Sequence, residues 1–452
     1  MFDVLAHGVG LRGEVPFEAW PVAWAIVVVV VVAFVVVTRR PPDFADAPAV
    51  DPAAADGDTS AMDAGVGTDD GLGAAEEPDA LGPIGLFGRA VGLVGLGLVL
   101  AAGAFGSTVD GATVAPVLVW VVAWAWLPIL AVFLGDPWPH LGPFDTLARV
   151  VGAPAQRSDP APVWSHWLAP VAMAVFVAVE LTHPDANSAQ LIAGLVGAYT
   201  LVAVVGAWWW GRAWLAEAET MAVYLRGLGS LAPLQRDPAG GGLRLGRPFR
   251  AVALDPTPAQ AVTYVVALGA LTWDGVGAST MWRDFIGPAE GWADAGWRLL
   301  GLADVTAVLA VAALLAARLV ADVAGRPVRV VAPALAPVLL PLIAGAAVAR
   351  LGQVAADGLP ALLRGLSDPL GDGNEFLGGL ATALDETWLD ADPVAWVQVF
   401  GVVLGAAGAV VVGDRCVRRL VGSSALDVMR AQYGVVFFVA VSSVATAWFL
   451  LV

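Results

Sequence analysis

Long apolar runs separated by short polar breaks recur along the chain, at about 20–37, 88–106, 113–134, 164–183, 189–211, 258–279, 299–320, 330–351, 394–413 and 433–452. A hydrocarbon core is crossed by about 20 apolar residues in helical form, so each run is long enough to span. The pattern predicts an all-α, polytopic transmembrane helix bundle of about ten spans. Two other segments stand out. Residues 214–231 set Leu215, Met221, Leu225 and Leu228 at helical spacing against Glu217, Glu219 and Arg226, which predicts an interfacial helix. Residues 352–393 are the largest exposed ordered candidate and predict an outer loop.

Composition supports this picture. The 452 residues are 58% hydrophobic and 14% charged, against roughly a quarter charged in soluble domains. The lipid bilayer is therefore the expected solvent and partner, which implies a multi-pass cell-membrane protein. Residues 41–82 carry eleven acidic residues and no basic one, among many Ala, Gly and Pro. Such a stretch buries too little surface to fold. The expected organisation is an outward N-terminus and first span over 1–40, a disordered acidic cytosolic linker over 41–82, and a nine-span domain over 83–452.

Charge adds orientation. All 23 basic residues are arginine, and 18 of them fall at alternate breaks, leaving Arg12, Arg283, Arg298, Arg350 and Arg364 on the other side. The positive-inside rule then puts both termini outside. A net charge of -17 without lysine suits a halophilic surface or a GC-rich codon bias, and neither favours nucleic acid. Cys416 is alone, so no intramolecular disulfide forms. The first apolar run starts near Trp20 and is followed by Arg39 and Arg40, which does not read as a cleavable signal peptide. Most of the 19 tryptophans sit near span ends, as aromatic belts do.

Ionisable side chains at bilayer depth are costly and so mark candidate sites. Glu180 and His183 are three apart at the outer end of the fourth run, with Asp185 just beyond. That spacing places them on one helix face, as two metal ligands, an acid–base pair or a simple interfacial hydrogen-bonded pair. Asp274, near the outer end of the sixth run, precedes Arg283 and Asp284; Asp274 and Arg283 would make an ion pair or bind an anion, unless Asp274 only caps its helix. Asp304, inside the seventh run, is the deepest carboxylate by position, suited to a proton or cation relay or to a hydrogen bond with a neighbouring helix.

The stretch 368–375, DPLGDGNE, supplies Asp368 and Asp372 as oxygen ligands and a glycine at Gly373. Its spacing departs from the EF-hand pattern, so a divalent metal competes there with an ordinary acidic turn. Pro333, Pro337 and Pro341 interrupt the eighth run at four-residue intervals, as in the broken helices of transporters. The chain has no phosphate-binding loop, HExxH, CxxC or nucleophile elbow.

Several ordered stretches carry a resemblance: Leu5-Ala6-His7-Gly8, Pro116 with the aromatic third run, 180–185, Thr272 to Gly275, Ser367 to Gly373, Trp396-Val397-Gln398-Val399, Asp414-Arg415 and Ala431-Gln432-Tyr433. In these the chain resembles a family of polytopic prokaryotic membrane proteins commonly labelled fenitrothion hydrolase. The label implies attack of water on the phosphorus of a phosphotriester, assisted by a metal or a base. It further implies His7 and Asp274 as catalytic groups that converge at the outer face with Asp368 and Asp372. Where the resemblance implies histidines in the eighth and ninth spans, this chain has Ala347, Arg350, Ala406 and Gly413.

Three functions are compatible with the sequence: a membrane hydrolase, a small-solute or ion transporter using Asp304 or Asp274, and a non-catalytic subunit docking to other membrane subunits. Glu180, His183, Arg283 and Asp304 are the candidate substrate or ion residues.

Overall fold

The computed structural model describes residues 19–39, 83–236, 243–245, 253–383, 391–422 and 424–451. His7 and the acidic segment 41–82 lie outside these residues. Every predicted span is helical. They are α1 (Ala19–Thr38), α2 (Pro83–Phe105), α3 (Val117–Leu134), α4 (Leu168–Thr182) and α5 (Ala189–Trp210), then, after a short helix α6 (Thr220–Gly229), α7 (Pro258–Gly277), α8 (Gly291–Ala324), α9 (Val328–Ser367), α10 (Ala391–Val421) and α11 (Ala425–Leu451). Among the described residues nine helices are long and apolar enough to cross a membrane, and α7 makes a tenth together with Thr280–Ile286, from which it is bent by 78°. The chain is an integral, multi-pass membrane protein. The only strands among the described residues are a small antiparallel ladder, β1 (Leu234–Arg236) with β2 (Leu243–Leu245).

The connections gather at two ends of the bundle, as alternating crossings require. At one end the Ser107 N–H donates to Leu370 O at 2.7 Å, Gly111 N–H to Asn187 O at 3.2 Å and Val114 N–H to Pro369 O at 3.1 Å. At the other end Asp145 accepts ion pairs from Arg89, Arg149 and Arg212.

At the centre stands α9, with 78% of its apolar stretch buried against 17–50% for the other single-helix spans. Its α-helix stops at Leu335, tightens to a 3₁₀ turn over Ala336–Val338 and resumes at Leu339. Pro337 and Pro341 lack the N–H groups that a continuous helix needs. Beyond the break α9 lies almost backbone to backbone on α10. A Cβ on Gly345 would stand 2.6 Å from Gly401 O, and one on Gly405 would stand 2.6 Å from Pro341 O. Small residues permit such approach where lipid supplies no hydrophobic drive.

Three segments depart in detail from expectation. Residues 214–231 are packed deeply on one side: Val223, Tyr224, Leu225 and Leu228 of α6 are fully buried and Glu219 is 1% exposed, while the Arg226 and Glu217 side chains stay 35% and 43% exposed. The charges of this stretch also have protein partners. Glu219 accepts the N–H groups of Met221 and Ala222, capping α6, and also the Tyr199 hydroxyl at 2.8 Å. Glu217 accepts from Arg226 at 3.0 Å and from Gln260 at 2.7 Å. The predicted loop 352–393 is helical as far as Ser367, because its residues up to 367 are mostly helix formers packed on α3. Finally, α8 extends past the predicted 299–320 at both ends, its first turns carrying an Arg298–Asp294 pair at 2.6 Å.

The close packing of α9 on α10 is testable. Replacing Gly405 with Ala forces a shift worth about 1–3 kcal/mol, seen as a lower unfolding midpoint in detergent. The same change at Gly97, where a Cβ meets nothing within 4 Å, leaves the midpoint unchanged or raises it.

Candidate functional site

The sequence around α4 dictates where Glu180 ends up. Pro184 disfavours helical geometry at the residue before it, and His183 accordingly leaves the helix at ψ 131°. Glu180 therefore sits in the last turn of α4, 7% exposed, among other helices. His183 goes elsewhere: its Nδ1 accepts the Asp185 N–H at 3.1 Å, and its ring lies edge-on to Trp292 at 5.0 Å. The shared face predicted for Glu180 and His183 is not realised, because the helix stops between them.

Trp124 and Tyr224 lie beside Glu180. Trp124 belongs to the first part of α3, a π-helix over Val117–Trp126 closed by the Leu127 N–H donating to Val122 O. A π-helix is rare and often marks a functional position. Its wider turn sends three indoles to three neighbours: Trp120 donates to Ala186 O at 3.1 Å, Trp126 donates to Ala355 O at 2.9 Å, and Trp124 lies beside Glu180. Trp124 also stacks on Tyr224 of α6 at 5.7 Å and meets Phe176 edge-on at 5.2 Å. Glu180 Oε2 and Tyr224 Oη are both buried and have no hydrogen-bond partner among the described residues.

Behind this group lies an ion pair. Asp274 of α7 accepts from Arg350 Nε at 2.9 Å, with side chains 11% and 6% exposed, and Arg350 Nη1 reaches Phe449 O of α11 at 3.5 Å. Asp274 is close enough to Glu180 to interact electrostatically. The cluster thus sets two carboxylates against one guanidinium. The sequence pairs Asp274 with Arg283, but Arg283 is exposed on the short helix after α7, and Arg350 takes its place. Asp304 is likewise exposed, on the outer face of α8, rather than in the interior.

Asp368 and Asp372 lie in a turn remote in character from this cluster. Asp368 Oδ1 and Oδ2 accept the N–H groups of Asp372 and Gly373 at 3.1 and 2.9 Å. Desolvation, which raises its pKa, is outweighed by these donors, and the carboxylate is held below its usual range. Gly371, at φ 67°, packs so close that a Cβ would stand 2.8 Å from Ala112 O. The turn is thus built around its own backbone. Among the described residues no group of three or more His, Cys, Asp or Glu side chains is placed to hold a metal ion.

At the arginine-rich end a second group of acids surrounds the start of α6. Burial pushes the Asp136 carboxyl up to about 6, against the opposing pull of the Trp138 N–H and Arg226, while Glu219 adds to the rise. Burial also raises Glu219. Glu217 goes the other way, because Arg226 and Gln260 outweigh its desolvation.

Trp124, Tyr224 and Arg350 escaped the sequence reading. Arg350 had a visible signal, as a charge inside an apolar run. The two aromatics had none, since tryptophan and tyrosine abound at span ends for other reasons. Comparisons with protein-family models, curated proteins and solved structures return no match for the chain.

Two outcomes follow from this geometry. Arg350→Ala strands two carboxylates and lowers stability by about 3–5 kcal/mol, whereas the double variant Asp274→Leu/Arg350→Leu recovers most of it; a double-mutant cycle on unfolding midpoints in detergent measures both. For Asp136 the folded pKa is raised above the ordinary 3.8, so its stabilising share is fully present below that value and lost as pH rises through about 6. The midpoint of Asp136→Asn should therefore gain on that of the unsubstituted chain between pH 4 and 7.

Proposed function

We propose that the chain is a membrane transport protein in which Glu180 takes up and releases a proton as part of the transport cycle. The observation that carries this reading is the free, buried Oε2 of Glu180, set beside an Asp274–Arg350 pair that is already neutralised. An ionised carboxylate so placed needs a counter-charge, and a proton is the smallest that fits. Tyr224, whose hydroxyl is equally free, is positioned to pass a hydrogen bond to it. The surrounding backbone supports movement around this point: α3 is π-helical beside Glu180, α6 is a buried half-length helix, and α9 is broken. Discontinuous helices of this kind surround the ion sites of transporters.

A second reading, a subunit of a larger membrane complex, is favoured by Asp304, a carboxylate exposed within an apolar span. The hydrolytic reading draws on the resemblance to fenitrothion hydrolase-labelled proteins; its Asp274 is engaged by Arg350 and its His7 lies outside the described residues.

Reconstitution tests the proposal. In liposomes under an imposed pH gradient, the purified chain should move protons, as reported by a trapped dye. Glu180→Gln should reduce that flux about a hundredfold with an unchanged unfolding midpoint, and Tyr224→Phe should reduce it less. Equal flux in Glu180→Gln and the unsubstituted chain would overturn it.

A further inference from the structure

A deep apolar groove runs along one side of the bundle between α4, α7, α8 and the first turns of α9, with a volume of about 670 Å³. Along α8 its lining extends from Leu299 to Ala316, about 25 Å at 1.5 Å per residue. That is most of the thickness of a hydrocarbon core, about 30 Å. Ala174, Ala303, Ala307 and Leu314 form exposed edges, so the groove opens sideways, toward lipid.

Only two lining side chains are polar. Thr306 turns its hydroxyl back to Leu302 O at 2.7 Å, which leaves Arg329. This arginine is exposed at the end of the groove where α9 begins, in the arginine-rich region, and forms no ion pair with any described residue. Toward the opposite end α8 exposes Asp304, next to the lining residue Ala303. The groove is thus apolar along its length, cationic at one end and anionic near the other.

The lining decides what fits: its apolar side chains, open toward lipid, match hydrocarbon, and the arginine at its end matches a phosphate. We propose that the groove binds the acyl chains of an anionic phospholipid, with its phosphate held by Arg329. Charge sets the direction: Arg329 attracts the headgroup, and Asp304 repels it from the far end.

The test is native mass spectrometry of the full chain, released from mild detergent after incubation with phosphatidylglycerol or with phosphatidylcholine of the same acyl chains. The unsubstituted chain should retain one phosphatidylglycerol, about tenfold in preference to phosphatidylcholine, the ratio that one charge-assisted contact of about 1.4 kcal/mol supplies. Arg329→Gln, an exposed change that leaves the fold intact, should erase the preference, whereas Arg318→Gln, which removes an exposed arginine paired with Asp322, should keep it. Ala310→Phe should lower retention of both lipids. No preference in the unsubstituted chain, the same preference in Arg329→Gln, its loss in Arg318→Gln, or a second copy of the chain retained in place of lipid would each overturn the proposal.

Discussion

One buried guanidinium ties together the central helices of this bundle. Arg350 stands 6% exposed among apolar helices, where an unpaired charge is strongly disfavoured. Its nitrogens are met from two directions, by the Asp274 carboxylate of α7 and the Phe449 carbonyl of α11. The charge therefore ties the central broken helix α9 to two others. Once Arg350 has paired with Asp274, the second carboxylate of the cluster, Glu180, has no cation left among the described residues. An electrostatic demand made by a single arginine is what leaves Glu180 chemically available.

Close backbone approach makes the same arrangement rigid. Gly345, Gly401 and Gly405 bring α9 and α10 within contact of each other's carbonyls, which gives Arg350 a fixed base one and a half turns along α9. On the opposite side α6 wedges between α7 and α9, where a Cβ at Gly227 would meet Tyr264 and Leu340 at under 3 Å. This wedge carries Tyr224 to Trp124 and Glu180. A half-length helix can occupy such a position because Glu219 satisfies its first N–H groups, and buried polar backbone in a membrane protein requires that satisfaction.

Much of this was legible in the sequence, for a reason with a clear physical limit. Apolar runs about 20 residues long announce spans whatever their neighbours, so among the described residues nine appear as single helices at their expected places and the tenth as a bent pair. Their ends were less legible, because α8 and α9 continue through turns bearing Arg298, Asp294 and Arg364, which a search for unbroken hydrophobicity stops at. Residues 214–231 were half legible for a related reason: an amphipathic pattern records that one face is polar, and not which protein groups, here Tyr199, Gln260 and Arg226, also meet that face. Glu180 was visible as an acid in an apolar run. Its partners were not, since Trp124, Tyr224, Asp274 and Arg350 come from four separate helices and only the fold brings them together.

The most specific stretch of the resemblance, Ser367 to Gly373, illustrates how a local motif can carry structure rather than chemistry. Asp368 turns its carboxylate onto the N–H groups of Asp372 and Gly373, and Pro369 and Leu370 offer their carbonyls to the segment leading into α3. Gly371 and Gly373 adopt φ of 67° and 90°, a region that side chains other than glycine rarely enter. Each residue of the motif is thus accounted for by a turn that locks the end of α9 onto the start of the π-helix. Because that π-helix carries Trp124, the turn acts on Glu180 at one remove, by fixing the register of the helix whose indole lies beside it.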